Sequence, residues 1–356
     1  MLKPIKKITL LLILNSAFCI LNSFAQTYNA PESVVYDSAN SRYFISNNGA
    51  NQILARDASG TLSVFTSAIT TGPNGLEIIG NTLFACDGAS MKGFDLTTAA
   101  VVMNLNVGAT FLNGICTDGT NYLYATDFTA KKIFKIDIAA QTFTVFVTGL
   151  VKSPNGIIYD SANNRIVWVT WGTSAPVMQA LLSDSSVSQV TATTLGNCDG
   201  IVRDGNGNYY VSAWSTQSVY RFDNLFAAAP VAVVTGLSNP ADIYYNLADD
   251  TLASPNSGNS TVTFHYMGAA TVVDEAEAGM ELKVFPNPVT NEIRVQSSKF
   301  KVERVKIYDV LGQLHNSAFC ILNFELIVNV SSLSPGIYFL KLKGEGEERI
   351  ARFVKQ

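Results

Sequence analysis

The residues with most chemistry to offer recur at a near-constant spacing. Glu32, Asn74, Asn113, Asn155 and Asp199 each stand in the middle of a short opener. The openers are Pro31-Glu32-Ser33, Pro73-Asn74-Gly75, Leu112-Asn113-Gly114, Pro154-Asn155-Gly156 and Cys198-Asp199-Gly200, with a sixth at Pro240-Ala241-Asp242. Carboxylates and amide oxygens are hard ligands, the kind that Ca²⁺ and Mg²⁺ select. Beyond residue 25 the only histidines are His265 and His315, which argues against an imidazole-type zinc site and against a Ser–His nucleophile. Asn and Asp before Gly are also good turn formers, so a repeat would carry them for structure alone. The two acids break that uniformity: Glu32 and Asp199 stand where the other three openers have Asn.

Measured at the third residue of each opener, the spacings are 42, 39, 42, 44 and 42. A period near forty in a strand-rich, helix-poor chain predicts an all-β fold, a six-bladed β-propeller with one small sheet per repeat. Blade three shows the pattern, with apolar runs at 114–117, 122–126, 132–137 and 142–146 and an Asp118-Gly119 turn after the first. Equivalent residues of every blade then converge on one channel, and the openers, Asp242 included, ring its mouth. Trp171 and Trp214 end the second strands of blades four and five, so their loops reach that mouth, although a core or rim role suits them better. The sixth blade is irregular at Pro255-Asn256. Its fourth strand is left open between the chain start and Thr271-Val272-Val273.

The ends of the chain set its context. Lys3, Lys6 and Lys7, an apolar stretch from Ile8 and the small residues of Ser23-Phe24-Ala25 predict a signal peptide over 1–25. The propeller is placed at 26–273 and an acidic linker at 274–280. A second module of short alternating strands, a small C-terminal β-sandwich, fills 281–356. Past residue 25, 28 acids stand against 21 bases, which excludes a basic nucleic-acid surface. No segment of the mature chain is apolar enough to span a bilayer. Cys86 and Cys116 fall in apolar strand patterns and are expected as buried thiols, with no obligatory disulfide. The octapeptide NSAFCILN occurs at 15–22 and again at 316–323, where it is expected to lengthen a hairpin loop.

Two resemblances follow. Val284-Phe285-Pro286-Asn287-Pro288, Val305 to Gln313 and Leu333-Ser334-Pro335-Gly336-Ile337-Tyr338-Phe339 resemble the C-terminal sorting domain of type IX secretion. That implies handling by the type IX secretion machinery, passage through periplasm and outer membrane, and a secreted or cell-surface protein. Residues 30 to about 266 resemble the SMP-30/gluconolactonase propellers, with a repeat also similar to NHL-type propellers. The matching residues are Glu32 to Tyr36, Asn113, Asn155-Gly156 and Asp199-Gly200.

The second resemblance implies a divalent cation, Ca²⁺ favoured, on Glu32, Asn155 and Asp199. It also implies Asp199 as catalytic base, Asn113 as a substrate contact, and metal-dependent hydrolysis of sugar lactones or related esters. Trp171 and Trp214 are the candidates to stack on a sugar ring. Phe111 and Leu112 stand where that family often has a basic residue, and the usual first-strand Pro is missing, so the substrate is the least constrained part. The alternative is a non-catalytic propeller that binds a glycan or protein at the cell surface.

Overall fold

A computed structural model describes residues 26–268, 282–297, 304–309, 313–315, 319–322, 325–344 and 347–356. The expected signal peptide and linker lie outside the described residues. The chain divides into two compact units, Met1–Gly268 and Ala269–Gln356.

The first unit is the six-bladed propeller. Five blades are four-stranded antiparallel meanders in which sequence order is spatial order. Their innermost strands are Pro31–Asp37, Pro73–Ile79, Leu112–Thr117, Pro154–Asp160 and Cys198–Arg203. The sixth blade has three strands among the described residues, Tyr244–Asn246, Thr251–Asn256 and Thr261–Tyr266. Thr271 to Val273, one candidate for its fourth strand, lie outside the described residues. Among the described residues, 26–30 add no strand there, although Tyr28 packs into the apolar cluster between blades six and one.

Every interface between neighbouring blades holds its own apolar core. Successive residues of a strand point to opposite faces, so one strand feeds two cores. Leu83 packs toward blade one and Phe84 toward blade three; Tyr209 packs toward blade four and Tyr210 toward blade six. That is why the second strands read as unbroken apolar runs rather than as alternation. Trp168, Phe44 and Phe94 are fully buried this way, each contributing roughly 1.5–3 kcal/mol. The cores between blades one and two and between two and three contain 10 and 12 buried residues, whereas the one between six and one contains 4.

That last interface is the ring's seam. Ser33 and Asp242 form a parallel bridge, the Asp242 N–H donates to the Glu32 carbonyl at 2.9 Å, and the Ala30 N–H donates to Ser260 Oγ at 3.1 Å. Around the rest of the ring the inner strands approach so closely that only glycine fits. A Cβ on Gly114 would lie 2.5 Å from the Asn155 carbonyl oxygen and 2.9 Å from Gly156 Cα. A Cβ on Gly156 would press into the Asp199 carbonyl and lie 2.8 Å from Gly200 Cα.

The second unit is a small β-sandwich. One sheet orders 282–285, 292–297, 325–329 and 319–322; the other orders 314–315, 304–309, 336–344 and 347–355. Ile293, Val295 and Val328 meet Ile307, Leu340, Leu342 and Phe353 between them. Residues 319–322 are an edge strand paired with 325–329, not the loop extension expected for the repeated octapeptide. Its β-branched and aromatic residues can join a sheet wherever an edge is free.

Candidate functional site

The openers do not sit in turns. The turn chemistry lies one residue before them, where Ala30, Gly72, Asn197 and Asn239 take positive φ. The opener itself begins the inner strand, and its amide clasps the next blade. Asn74 Nδ2 donates to the Leu112 carbonyl at 2.9 Å, and Asn155 Nδ2 donates to the Cys198 carbonyl at 3.3 Å. Second-strand hydroxyls add a parallel set of clasps. Thr126 Oγ1 donates to the Asn155 carbonyl at 3.0 Å and Ser212 Oγ to the Ala241 carbonyl at 2.8 Å; Ser46 Oγ donates likewise to the Asn74 carbonyl.

Asp242 corrects the expected ring by one position. It pairs with Ser33 and abuts Gly200, so it occupies the glycine position of the other openers, and Ala241 is the counterpart of Asp199. Its carboxylate therefore projects where blades two to five have only a hydrogen, and it accepts a 2.8 Å hydrogen bond from Ser33 Oγ of blade one.

Three carboxylates consequently share one end of the channel. Burial pushes Glu32 up to about 7, and the charge of Asp242 adds to the shift. Burial likewise raises Asp242 to about 7, against the opposing pull of the Ser33 hydroxyl. Asp199 is raised well above the usual carboxylate range by burial first, then by Glu32 and Asp242, while Asn155 and Trp214 pull it the other way. Glu32, Asn155 and Asp199 are thus brought together although Glu32 and Asp199 are far apart in sequence. Asn113 is buried at the same level of blade three.

Asn155 and Asp199 are 1 % and 2 % exposed, and one side-chain oxygen of each has no hydrogen-bond partner. The Trp214 indole N–H beside them is also unpartnered; it lies close enough to favour the charged form of Asp199 without a well-formed hydrogen bond. A buried acceptor without a donor costs about 1–3 kcal/mol. Two such oxygens next to the Glu32 carboxyl, with burial first and neighbouring charge second raising Glu32 and Asp199, form a donor set of the hard-oxygen type suited to a divalent cation. The residues present fit such an ion. Among the described residues no group of three His, Cys, Asp or Glu side chains is arranged as a metal cage; two carboxylates and one amide would hold the ion.

The mouth has an aromatic half and a polar half. The residue just past the second strand is Phe128, Trp171 and Trp214 in blades three to five, but Asn48, Gly88 and Ser257 in blades one, two and six. In the aromatic half each backbone N–H is tied to the residue immediately before the opener: Phe128 to the Phe111 carbonyl, Trp171 to Ser153 and Trp214 to Asn197, at 2.9–3.0 Å. The rings contact edge to face in an arc, Phe111 to Phe128 at 5.9 Å, Phe128 to Trp171 at 5.8 Å and Trp171 to Trp214 at 5.1 Å. Phe111 and Phe128 were not among the sequence candidates. The signal that would have found Phe128 is the shared position after the second strand.

Residues 283–356 match the model of the secretion system C-terminal sorting domain, which marks the chain for export by type IX secretion. No protein of curated function matches the chain in sequence. The propeller is similar to several solved structures. A gluconolactonase from Xanthomonas campestris is 14 % identical, with 67 % of this chain and 87 % of that one covered and a TM-score of 0.57. A calcium-binding regucalcin from Agrobacterium tumefaciens is 14 % identical over 64 % and 82 %, with a TM-score of 0.55. An auxiliary nutrient binding protein from Bacteroides thetaiotaomicron is 10 % identical over 67 % and 70 %, also at 0.55. At these identities the likeness is one of fold.

Proposed function

We propose that the exported propeller is a divalent-cation-dependent hydrolase of cyclic esters, sugar lactones foremost, working at the opener end of its channel. The observation that carries it is the pair of orphaned, buried oxygens of Asn155 and Asp199 beside Glu32. These three residues would hold the cation, with Ca²⁺ favoured by the all-oxygen donors. When bound, the ion supplies Lewis acidity toward a carbonyl oxygen. The rest of the chemistry belongs to the chain. Trp171 and Trp214 offer ring faces and edges on one side of the mouth, so that a flat cyclic ligand is oriented and water is limited there. Asn113 supplies an amide to a substrate oxygen. Asp199, ionised in the loaded site, takes the proton of the attacking water as its oxygen adds to the ester carbonyl. The ring C–O bond then breaks, the alcohol oxygen recovers the proton, and a hydroxy acid leaves. The same fold is shared by a gluconolactonase and a calcium-binding protein.

A second reading, a binding propeller without turnover, is favoured by the apolar Phe111-Leu112 pair and the continuous aromatic arc. Calorimetric titration of the full chain with Ca²⁺, followed by a panel of aldonolactones, separates the two. The hydrolase requires saturable Ca²⁺ binding that Glu32→Gln and Asp199→Asn weaken, and lactone opening that Asp199→Asn abolishes. Cation and sugar binding without turnover would leave the binding propeller; no cation binding would discard the site.

A further inference from the structure

The sorting module carries a cleft that export does not explain. Strands 304–309 and 336–344 pair antiparallel with Arg304 opposite Lys343, Lys306 opposite Lys341 and Tyr308 opposite Phe339. Alternation sends Ile307, Leu340 and Leu342 into the sandwich core, so these pairs share the outward face. Like charges directly opposite one another destabilise a sheet; two such pairs stand here at alternate positions, with Glu348 opposite Lys343 on the next strand. They line a cavity of about 230 Å³ whose walls are Arg304, Lys306, Tyr308, Lys341 and Lys343.

The surrounding charge sharpens the contrast. Residues 281–356 hold eleven lysines and arginines against eight acids, net +3, whereas residues 26–280 hold ten against twenty, net −10. The positive cleft therefore belongs to a chain that is acidic elsewhere.

We propose that this cleft binds phosphate groups. A carboxylate presents two oxygens, which one guanidinium satisfies; a phosphate presents three or more acceptors and a larger charge, which suits the Arg304 fork, the Lys306 and Lys343 ammonium groups and the Tyr308 phenol. The cavity exceeds a single phosphate, so the ligand carries several phosphates or a phosphate on a larger body. Both a soluble polyphosphate and a phospholipid headgroup supply that chemistry. The assignment is independent of the propeller site.

The test uses the full chain, tripolyphosphate as probe and calorimetry near physiological ionic strength. Each contacting cation contributes roughly fivefold even in water, so Arg304→Gln/Lys343→Gln should weaken binding by roughly twentyfold and Lys306→Gln by roughly fivefold. Lys132→Gln/Lys135→Gln, which removes the same charge from the propeller, should change little. Co-sedimentation with phosphatidylglycerol against phosphatidylcholine vesicles identifies the source. Sedimentation that tripolyphosphate reverses assigns a headgroup, and tripolyphosphate binding without sedimentation assigns a soluble anion. Binding no tighter than about 1 mM, or equal losses from cleft and control variants, would overturn the assignment.

Discussion

Glu77 offers a test of channel electrostatics that does not depend on any ligand. It lies three residues past Asn74 in the inner strand of blade two. Burial pushes its carboxyl up to about 7, the Ile78 N–H and the Thr117 backbone pull down, and the charge of Asp242 pushes up again. The native state therefore keeps a proton that the unfolded chain releases near 4.5. The stabilisation from this group is complete below about 4.5 and is lost as pH rises through about 7. The difference of about 2.5 units corresponds to about 3 kcal/mol. Glu77→Gln is a neutral mimic of the protonated acid, so it should match the parent chain at pH 4 and exceed it by about 3 kcal/mol at pH 8. Urea unfolding followed by tryptophan fluorescence reads this cleanly, because Trp168, Trp171 and Trp214 all lie in the propeller. A gain of equal size at both pH values, or a loss at both, would show that Glu77 is not a destabilising charge in the native channel.

Other outcomes follow from the clasps and the close approaches. Asn74→Ala removes the bond to the Leu112 carbonyl and should cost about 1–2 kcal/mol while leaving Ca²⁺ affinity unchanged; calorimetry beside a urea curve checks both halves. Gly156→Ala forces a Cβ against the backbone of blade five and should lower stability by about 1–3 kcal/mol, seen as a drop in Tm. Removal of residues 283–356 should stop secretion, scored by immunoblot of the medium, and leave the tryptophan-detected unfolding curve of the retained chain unchanged. A shifted curve would mean that the sorting module stabilises the propeller.

The architecture was legible because a period near forty survives divergence in individual residues; it is imposed by blade size. The openers were harder. Asn before Gly has the look of a turn, yet Gly114 and Gly156 are glycine because the neighbouring strand leaves no room for a Cβ, and Asn74 and Asn155 clasp the next blade. Asp242 was grouped with the middle residues of the openers because it is the acid of its triplet, although alignment on Pro240 already puts it third, level with Ser33, as the bridge between them shows. Phe128 was legible only through the repeat, as the residue that follows the second strand; its contact with Trp171 comes from the packing of two blades. The proximity of Glu32 to Asp199 is a property of ring closure that composition and spacing express only through the blade count.

The seam between blades one and six gives that closure a temporal meaning. Glu32 comes from the first strand of the propeller, Asp199 from the fifth blade, and Asp242 from the last, where it bonds Ser33. No contiguous stretch of chain contains the site, and the first acid waits for more than two hundred residues before its final neighbour arrives. During synthesis or threading across a membrane, the emerging blades would pass through every stage without a formed centre. The mouth would be complete only with the last blade docked against the first, so a chain still unfolded in transit would carry no assembled site, whereas one already folded would.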